Sequence, residues 1–358
     1  MANKREFYAG RQVAFAKDGT TTYIEAHGLQ TLGITTNFNL QQVFEMGQAA
    51  IYANLEDVPD VEITMEKVLD GYPLLYHLAT NGALSPSVIG RSNVKSTVAV
   101  STFADTQDAA SGTPIAEVAM SGLVPSNSTI TIPVDGNITE SLTLVGNSKV
   151  WRDTGITLTG QFNNNDAPMT TGNVTLRRQN VVMVPISGGP SGVDVNGANN
   201  GWVSVWPKDI PGISSDGTNP VAADGTFVAP IQNVTITVDM GRTNIFELGR
   251  KFPYWRFLNI PVEVRTDIEV LSTKWDNISA TEAGGTNGAA VGSNAAYQTI
   301  GIYLTDGTWI RTGTRNKLAT VAISGGDAGG GGGNVTHRYS YVTYNDYIIK
   351  HPQDPSGL

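Results

Sequence analysis

Between Val234 and Val238 the chain reads Val-Thr-Ile-Thr-Val, three branched apolar side chains alternating with two hydroxyls. Successive side chains of an extended strand point to opposite faces, so a period of two predicts a strand with one buried face and one wet one. The same period governs Val61–Val68, where Val61, Ile63 and Met65 alternate with Glu62, Thr64 and Glu66. Further strands are predicted at Ile115–Met120, Ser128–Val134, Ile138–Val145, Ile156–Thr159, Val174–Pro185, Trp202–Trp206, Tyr297–Leu304, Thr308–Arg311 and Arg338–Tyr347. Tyr23–Phe38 reads as two short strands broken at Gly28. Leu40–Leu55 fits either a helix or a strand, and strand is the preferred reading. The 40 glycines and 17 prolines punctuate runs of Thr, Val, Ile and Asn as turns punctuate strands, so the fold class is mainly β.

One helix is predicted, in the run LDGYPLLYHLA that ends at Ala79. Asp70 is placed to cap it, Pro73 suits its first turn, and Leu74, Leu75 and Leu78 form one apolar stripe. The whole chain, residues 1–358, reads as a single domain, with a candidate subdomain boundary near residues 105–114. Asp276–Asn294 and the glycine run Gly325–Gly333 read as exposed loops, the second between two hairpin-like strands. A phosphate-binding reading of that run fails, because no Lys-Ser or Lys-Thr pair follows at a helix start.

Several function classes fall away on composition. A formal net charge of −9 is the wrong sign for a protein that grips nucleic acid by neutralising phosphates, although not for one that lets DNA slide past. The absence of cysteine removes disulfides, thiolate nucleophiles and most structural zinc sites. The first residues, MANKREFYAGRQ, lack the apolar stretch of a secretory signal, and no segment reaches the roughly 18 apolar residues of a membrane span, so synthesis in the cytoplasm is expected. His27, His77, His337 and His351 are scattered and predict no metal site. Around Ser191 the pattern of a nucleophile elbow breaks at Val193. No catalytic motif and no cofactor are expected.

Charge distribution is more informative. Glu45, Glu56, Asp57, Asp60, Glu62, Glu66 and Asp70 face one base, Lys67, over residues 45–70, whereas Arg242, Arg250, Lys251 and Arg256 face one acid, Glu247, over residues 242–256. Patches of opposite sign on one chain are what head-to-tail association of identical copies needs, and ordinary solvated faces are the plain alternative. Phe252, Tyr254, Trp255 and Phe257 stand among the bases, and aromatics with arginine favour the centres of interfaces. Arg242–Phe257, read as a loop that feeds a strongly alternating strand, is therefore the candidate inter-subunit contact. Glu56, Asp57, Asp60, Glu62 and Glu66 are candidates for a lumen or an adjacent subunit.

Taken in order, NFNLQQVFEMGQ with the acidic strand and LDGYPLLYHLA, then TESLTLVGNSKVW, LRRQNVVM, WPKDIPGISSDGTNP and GRTNIFELGRKFPYWRFLNIPVEVRTDIEV resemble the tail tube, or major tail, proteins of tailed bacteriophages. The similarity spans roughly residues 29–271. It implies a sandwich- or barrel-like β subunit with one short flanking helix and long Gly/Asn-rich loops, six copies of which close into a ring by extending their sheets. It further implies rings stacked into an acidic tube within the virion tail, a tape measure protein inside during assembly, a sheath outside where the tail contracts, and genome DNA passing through without specific binding. No membrane partner and no enzymatic role are implied. Another tail or neck ring protein, a non-catalytic carbohydrate-binding or adhesive β-sandwich module, and a β-rich glycosidase remain as alternatives.

Overall fold

The computed structural model describes residues 6, 8–47, 49–104, 113–153, 175–182, 204–207, 210, 230–250, 252–272, 297–326 and 333–358. The first strands are β1 (Arg11–Lys17), β2 (Tyr23–Glu25), β3 (Leu29–Asn37), β4 (Leu40–Phe44), β5 (Ile51–Glu56) and β6 (Asp60–Val68). Two short helices follow, α1 (Leu75–Ala79) and α2 (Val88–Ser92), then β7 (Ser96–Thr102), β8 (Ala116–Pro133), β9 (Thr139–Gly146) and β10 (Val150–Arg152). Next come β11 (Ile231–Asp239), β12 (Arg242–Ile245), β13 (Trp255–Leu258) and β14 (Glu263–Leu271). The last are β15 (Gly301–Tyr303), β16 (Trp309–Arg311), β17 (Lys317–Ser324), β18 (Thr336–Tyr344) and β19 (Ile348–Lys350). The fold is mainly β, as the sequence predicts.

Twelve of these strands form one antiparallel system organised by β8. The N-terminal half of β8 lies between β7 and β10, and its C-terminal half lies between β9 and β11. A short wing, β2-β1-β7-β8-β10, and a long wing, β17-β18-β14-β11-β8-β9-β6-β3, thus share a single strand. The transfer occurs at a bulge: Val98 lies opposite Met120 but Ser96 lies opposite Leu123, which leaves one extra residue on β8. Gly122 sits there at φ 67°, a conformation that glycine adopts without the Cβ penalty of other residues. The sequence reading gave two strands, Ile115–Met120 and Ser128–Val134. They are one, because Leu123, Val124 and Pro125 between them are buried and Leu123 to Pro125 stay in register with β7 and β9.

Alternation builds the core. On the inner face of the long wing, Ile63 and Met65 of β6, Leu142 and Leu144 of β9, Ile130 of β8, Ile236 of β11 and Ile268 of β14 are all buried. The mirror image of that pattern is the polar outer face considered below. The strands do not close into a barrel among the described residues, since β3 and β17 at the two ends of the long wing each pair on one side only. A small sheet of β15, β16 and β19 adds Ile302, Ile310 and Ile349 to the core, and β4–β5 and β12–β13 stand apart as two-stranded hairpins. β17 and β18 pair as the predicted strands around the glycine run require.

Helix α1 covers one end of the core, with Leu74, Leu75 and Leu78 buried and packing against β1, β8 and β9. Five residues are too few for a helix to hold itself in water, so its free amides need outside partners. Asp70 is not the cap: its carboxylate accepts from the Tyr72 amide at 3.3 Å and pairs with Lys67 at 3.1 Å. Glu140 of β9 instead accepts from the amides of Leu75 and Tyr76 at 2.7 and 2.8 Å. Burial pushes the Glu140 carboxyl up to about 6, while those two amides and the charge of Lys67 favour its ionised form.

Other departures from the sequence reading have simple causes. There is a second helix, α2, in the polar stretch 85–96, where the Ser87 side chain accepts from the Gly90 amide. β7 was not anticipated because both of its faces are covered, which erases alternation. β1 was not anticipated either, and β17 only as the strand before the glycine run, without bounds. Within Val174–Pro185 the described part, 175–182, is a 3-10 turn at Arg178–Asn180 with isolated bridges at Arg177 and Val181. The predicted strand at 156–159, the loop at 276–294 and most of the 105–114 boundary lie outside the described residues.

Replacing Glu140 with Gln keeps the size but sets an amide group against the two helix amides. This change is expected to cost about 1–3 kcal/mol, read as a lower urea midpoint at pH 7 with an unchanged slope.

Candidate functional site

The outer face of the long wing is the mirror of the core. Glu62 lies opposite Thr35 on β3 and Val145 on β9, and Glu66 lies opposite Thr31 and Ser141. Across β8 the row continues with Thr129, opposite Ser141 and Thr237, and Thr235 of β11 faces Asp267 of β14. The face is thus a field of hydroxyls and carboxylates. Its two arginines turn inward to one acid: Arg265 and Arg338 approach Asp267 at 3.6 and 2.6 Å, and the Ser340 hydroxyl donates to the same carboxylate. Among the described residues no ion pair engages Glu62, Glu66, Glu263 or Glu269. The surface is left net negative.

The other three acids named from the sequence lie elsewhere. Glu56 ends β5, and Asp57 accepts from the Val58 amide at 2.7 Å. Asp60 turns toward the second hairpin and pairs with Arg256 at 2.8 Å. Burial raises its carboxyl, but hydrogen bonds from Asn39, Arg256 and Asn147 together with the Arg256 charge outweigh that and hold it below the usual range. The acidic and basic segments, separated by nearly 200 residues, therefore already meet inside one chain.

The basic segment divides by role. It is a hairpin, not the loop that its sequence suggests, because Ile245 pairs opposite Trp255 and Arg242 opposite Leu258. Arg242 donates to the Pro125 carbonyl at 2.9 and 2.7 Å and to the Ser92 carbonyl, tying α2 to β8, and burial pulls its guanidinium down to about 10. Arg256 also donates to Asn147 at 2.8 Å and to the Gly146 carbonyl at 3.3 Å, and its side chain is only 11% exposed. Arg250, by contrast, is 61% exposed, pairs locally with Glu247 at 2.8 Å and lies 6.0 Å from the Tyr254 ring. Phe252, Tyr254 and Phe257 are exposed, whereas Trp255 is half-buried beneath the Lys95 ammonium at 4.6 Å. Lys251 lies outside the described residues.

A surface that sequence reasoning did not single out is the β4–β5 hairpin. Both strands are exposed almost throughout, and Phe38, Leu40, Phe44, Tyr52 and Leu55 are all more than half accessible. An isolated two-stranded ribbon is marginal in water, and exposed apolar area on this scale marks a contact surface. The signal was present in the sequence as apolar residues on both faces of a segment with no consistent period.

Two of the four scattered histidines come together. His77 of α1 and His351 have ring centroids 6.2 Å apart. His77 Nε2 lies 3.1 Å from the Ile349 carbonyl and 3.7 Å from Asp354, which also takes the Arg91 guanidinium. The Gln353 amide donates to His351 Nδ1 at 3.1 Å, leaving Nε2 to face Asp306 at 3.7 Å. Burial lowers His77 to about 4 against the pull of Asp354, and burial with the charges of His77 and Lys67 lowers His351 to about 3. The cluster clasps residues 351–356 onto α1 and α2.

No group of three or more His, Asp or Glu suited to a metal occurs among the described residues, and no described helix is long and apolar enough to cross a membrane. No family model and no curated protein matches the chain. Among solved structures, similarity is found to the baseplate of the anti-feeding prophage, with a TM-score of 0.32 and 10% identity over 43% of this chain and 99% of that one. It is also found to the tube-terminating cap of the anti-feeding prophage, with a TM-score of 0.32 and 12% identity over 43% and 94% of the two chains. The sheath–tube complex of an extracellular contractile injection system gives a TM-score of 0.31 and 11% identity over 42% and 93%. Scores this low do not establish a shared fold.

Two outcomes are expected. Arg256→Ala, which removes the mostly buried guanidinium that bonds Asp60, Asn147 and the Gly146 carbonyl, lowers stability by about 1–3 kcal/mol, whereas Arg250→Ala stays within about 0.5 kcal/mol; chemical denaturation of the two variants checks this. The histidine clasp gives a sign for pH. Both imidazoles fold neutral where the unfolded chain, titrating near 6.5, binds protons, so their stability is present above pH 6.5 and is lost as pH falls toward 4. Glu140, raised from 4.5 to about 6, and Asp306, also raised, act in the opposite direction but are outweighed by the two histidines. Melting temperature at pH 5 should therefore lie below that at pH 7, with a shallower fall in His351→Gln, as read by scanning calorimetry.

Proposed function

We propose that this chain is a structural subunit of the tail tube of a tailed bacteriophage, assembling as hexameric rings that stack around an acidic channel for the genome. The observation that carries the reading is the pair of open edges on the long wing, β3 at one end and β17 at the other. An edge strand offers a row of unpaired backbone donors and acceptors, and a neighbouring copy can continue the sheet across it. Joining the β17 edge of one copy to the β3 edge of the next is heterologous, and such contacts close into rings when the rotation allows.

The outer face supports the channel role. Glu62, Glu66, Glu263 and Glu269 on a threonine-rich sheet repel phosphate, so DNA moves along such a wall without sticking to it. Among the sequence candidates, Glu62 and Glu66 are the lumen residues in this reading, Glu56 and Asp57 lie at the hairpin base, and Asp60 holds Arg256. The partners are further copies of the chain, a tape measure protein within the tube and, in a contractile tail, a sheath outside it. The protein belongs to the virion tail after synthesis in the host cytoplasm, and no catalytic residue, cofactor or membrane contact enters the proposal. A neck or other tail ring protein differs from it only in that its rings do not stack.

Negative-stain electron microscopy of the purified protein, with mass by light scattering on the same sample, tests the reading. Six-fold rings or tubes with a central hole are expected. A monomer at every concentration would overturn it.

A further inference from the structure

We infer that the β4–β5 hairpin of one copy seats on the β12–β13 hairpin of a second copy. This rests on the self-assembly reading above and names the two surfaces that meet. Each hairpin is a separate two-stranded sheet that no other strand joins among the described residues. Each keeps large apolar side chains in water: Phe44, Tyr52 and Leu55 on the first, Phe246, Leu248 and Phe252 on the second. The first ribbon has both faces wet and gains little from folding on its own, whereas the second is held at its root by Arg242 and Arg256 and keeps only its tip, Phe246, Leu248 and Phe252, in water.

Charge selects the pairing. Residues 38–59 carry Glu45, Glu56 and Asp57 and no base. In the second hairpin Arg242 and Arg256 are engaged with their own chain and Arg250 pairs with Glu247, so the outer part, residues 243–255, keeps one net positive charge through Lys251 in the sequence. An apolar, acidic ribbon thus faces an apolar ribbon whose tip is basic. Opposite potentials steer encounter and fix register, while the aromatic and aliphatic side chains supply the buried area.

The pairing is between copies because of how the two hairpins are rooted. Asp60, directly after the first hairpin, is bonded to Arg256 within the second, and Asn39 and Asn147 hold the same carboxylate at 3.0 and 3.2 Å. With the roots joined, the outer parts still do not cover each other, since Phe44, Tyr52, Phe246 and Phe252 all remain exposed. The two surfaces differ, so their union in neighbouring copies is directional and repeats from copy to copy.

The chain has no cysteine, so introduced thiols report without background. Tyr52→Cys and Phe252→Cys chains carrying different tags are mixed and oxidised under assembly conditions. A mixed disulfide in excess over both homodimers is expected. In parallel, Glu45→Lys and Arg250→Glu should each raise the concentration needed for assembly at least tenfold with circular dichroism unchanged, and the two changes in one chain should restore it. Wild-type chain that never assembles would overturn the underlying self-assembly reading together with this inference. Wild-type chain that assembles while the mixed disulfide fails to form, or while the charge reversals have no effect, would overturn this inference alone. So would rapid disulfide formation within dilute single chains carrying both cysteines, which would assign the contact to the two hairpins of one copy.

Discussion

The architecture depends on one long strand flanked by two different pairs of strands at its two ends. β8 pairs with β7 and β10 before its bulge and with β9 and β11 after it, so neither wing has a centre without it. The bulge at Gly122 and a second register shift between Pro125 and Asn127 let a single ladder bend from one wing to the other while the backbone stays paired. Two solvent-facing features take their position from this strand. The threonine row of the outer face begins at Thr129 and Thr131, and Arg242 fixes the second hairpin by reaching back to the carbonyl of Pro125.

The polar interior serves the same end by unusual means. Lys67 falls on the buried face of β6, where a fourth apolar residue would continue the pattern, and its ammonium reaches the Pro73 carbonyl at 3.0 Å and Asp70 at 3.1 Å. Glu140 falls on the buried face of β9 and holds the open end of α1. Buried ions without partners would be prohibitive, and here each is answered by backbone groups of the α1 segment. A five-residue helix becomes a fixed part of the core because two strands send charged side chains to it.

What the sequence made legible was set by solvent. Where one face is wet and one dry, as in β6, β9 and β11, period-two alternation located strands to within three residues. Where both faces are covered, as in β7, or both exposed, as in β4, β5 and β17, alternation disappears and so does the signal. The helix was recognisable from Leu74, Leu75 and Leu78, but its cap was not, because Glu140 is 65 residues away in sequence. Charge counting along the chain found the acidic and basic segments yet could not foresee that Asp60 and Arg256 cancel in place, or that Arg250 alone of the described arginines in that segment stays on the outside. Separation in sequence hides the sharing of a corner in space.

The clasp between α2 and the segment after β19 bears on how such a chain acquires its structure. Arg91 and Asp354 are 263 residues apart, and His77 meets the Ile349 carbonyl across 272. Closing loops of that length comes late, after local hairpins have formed, and contacts of high sequence separation slow folding generally. Until Asp354 arrives, Arg91 is a cation with nothing to neutralise it and α1 has one side uncovered. Ile349 lies within β19, so the helix-bearing end of the molecule is completed only when that strand has paired with β16.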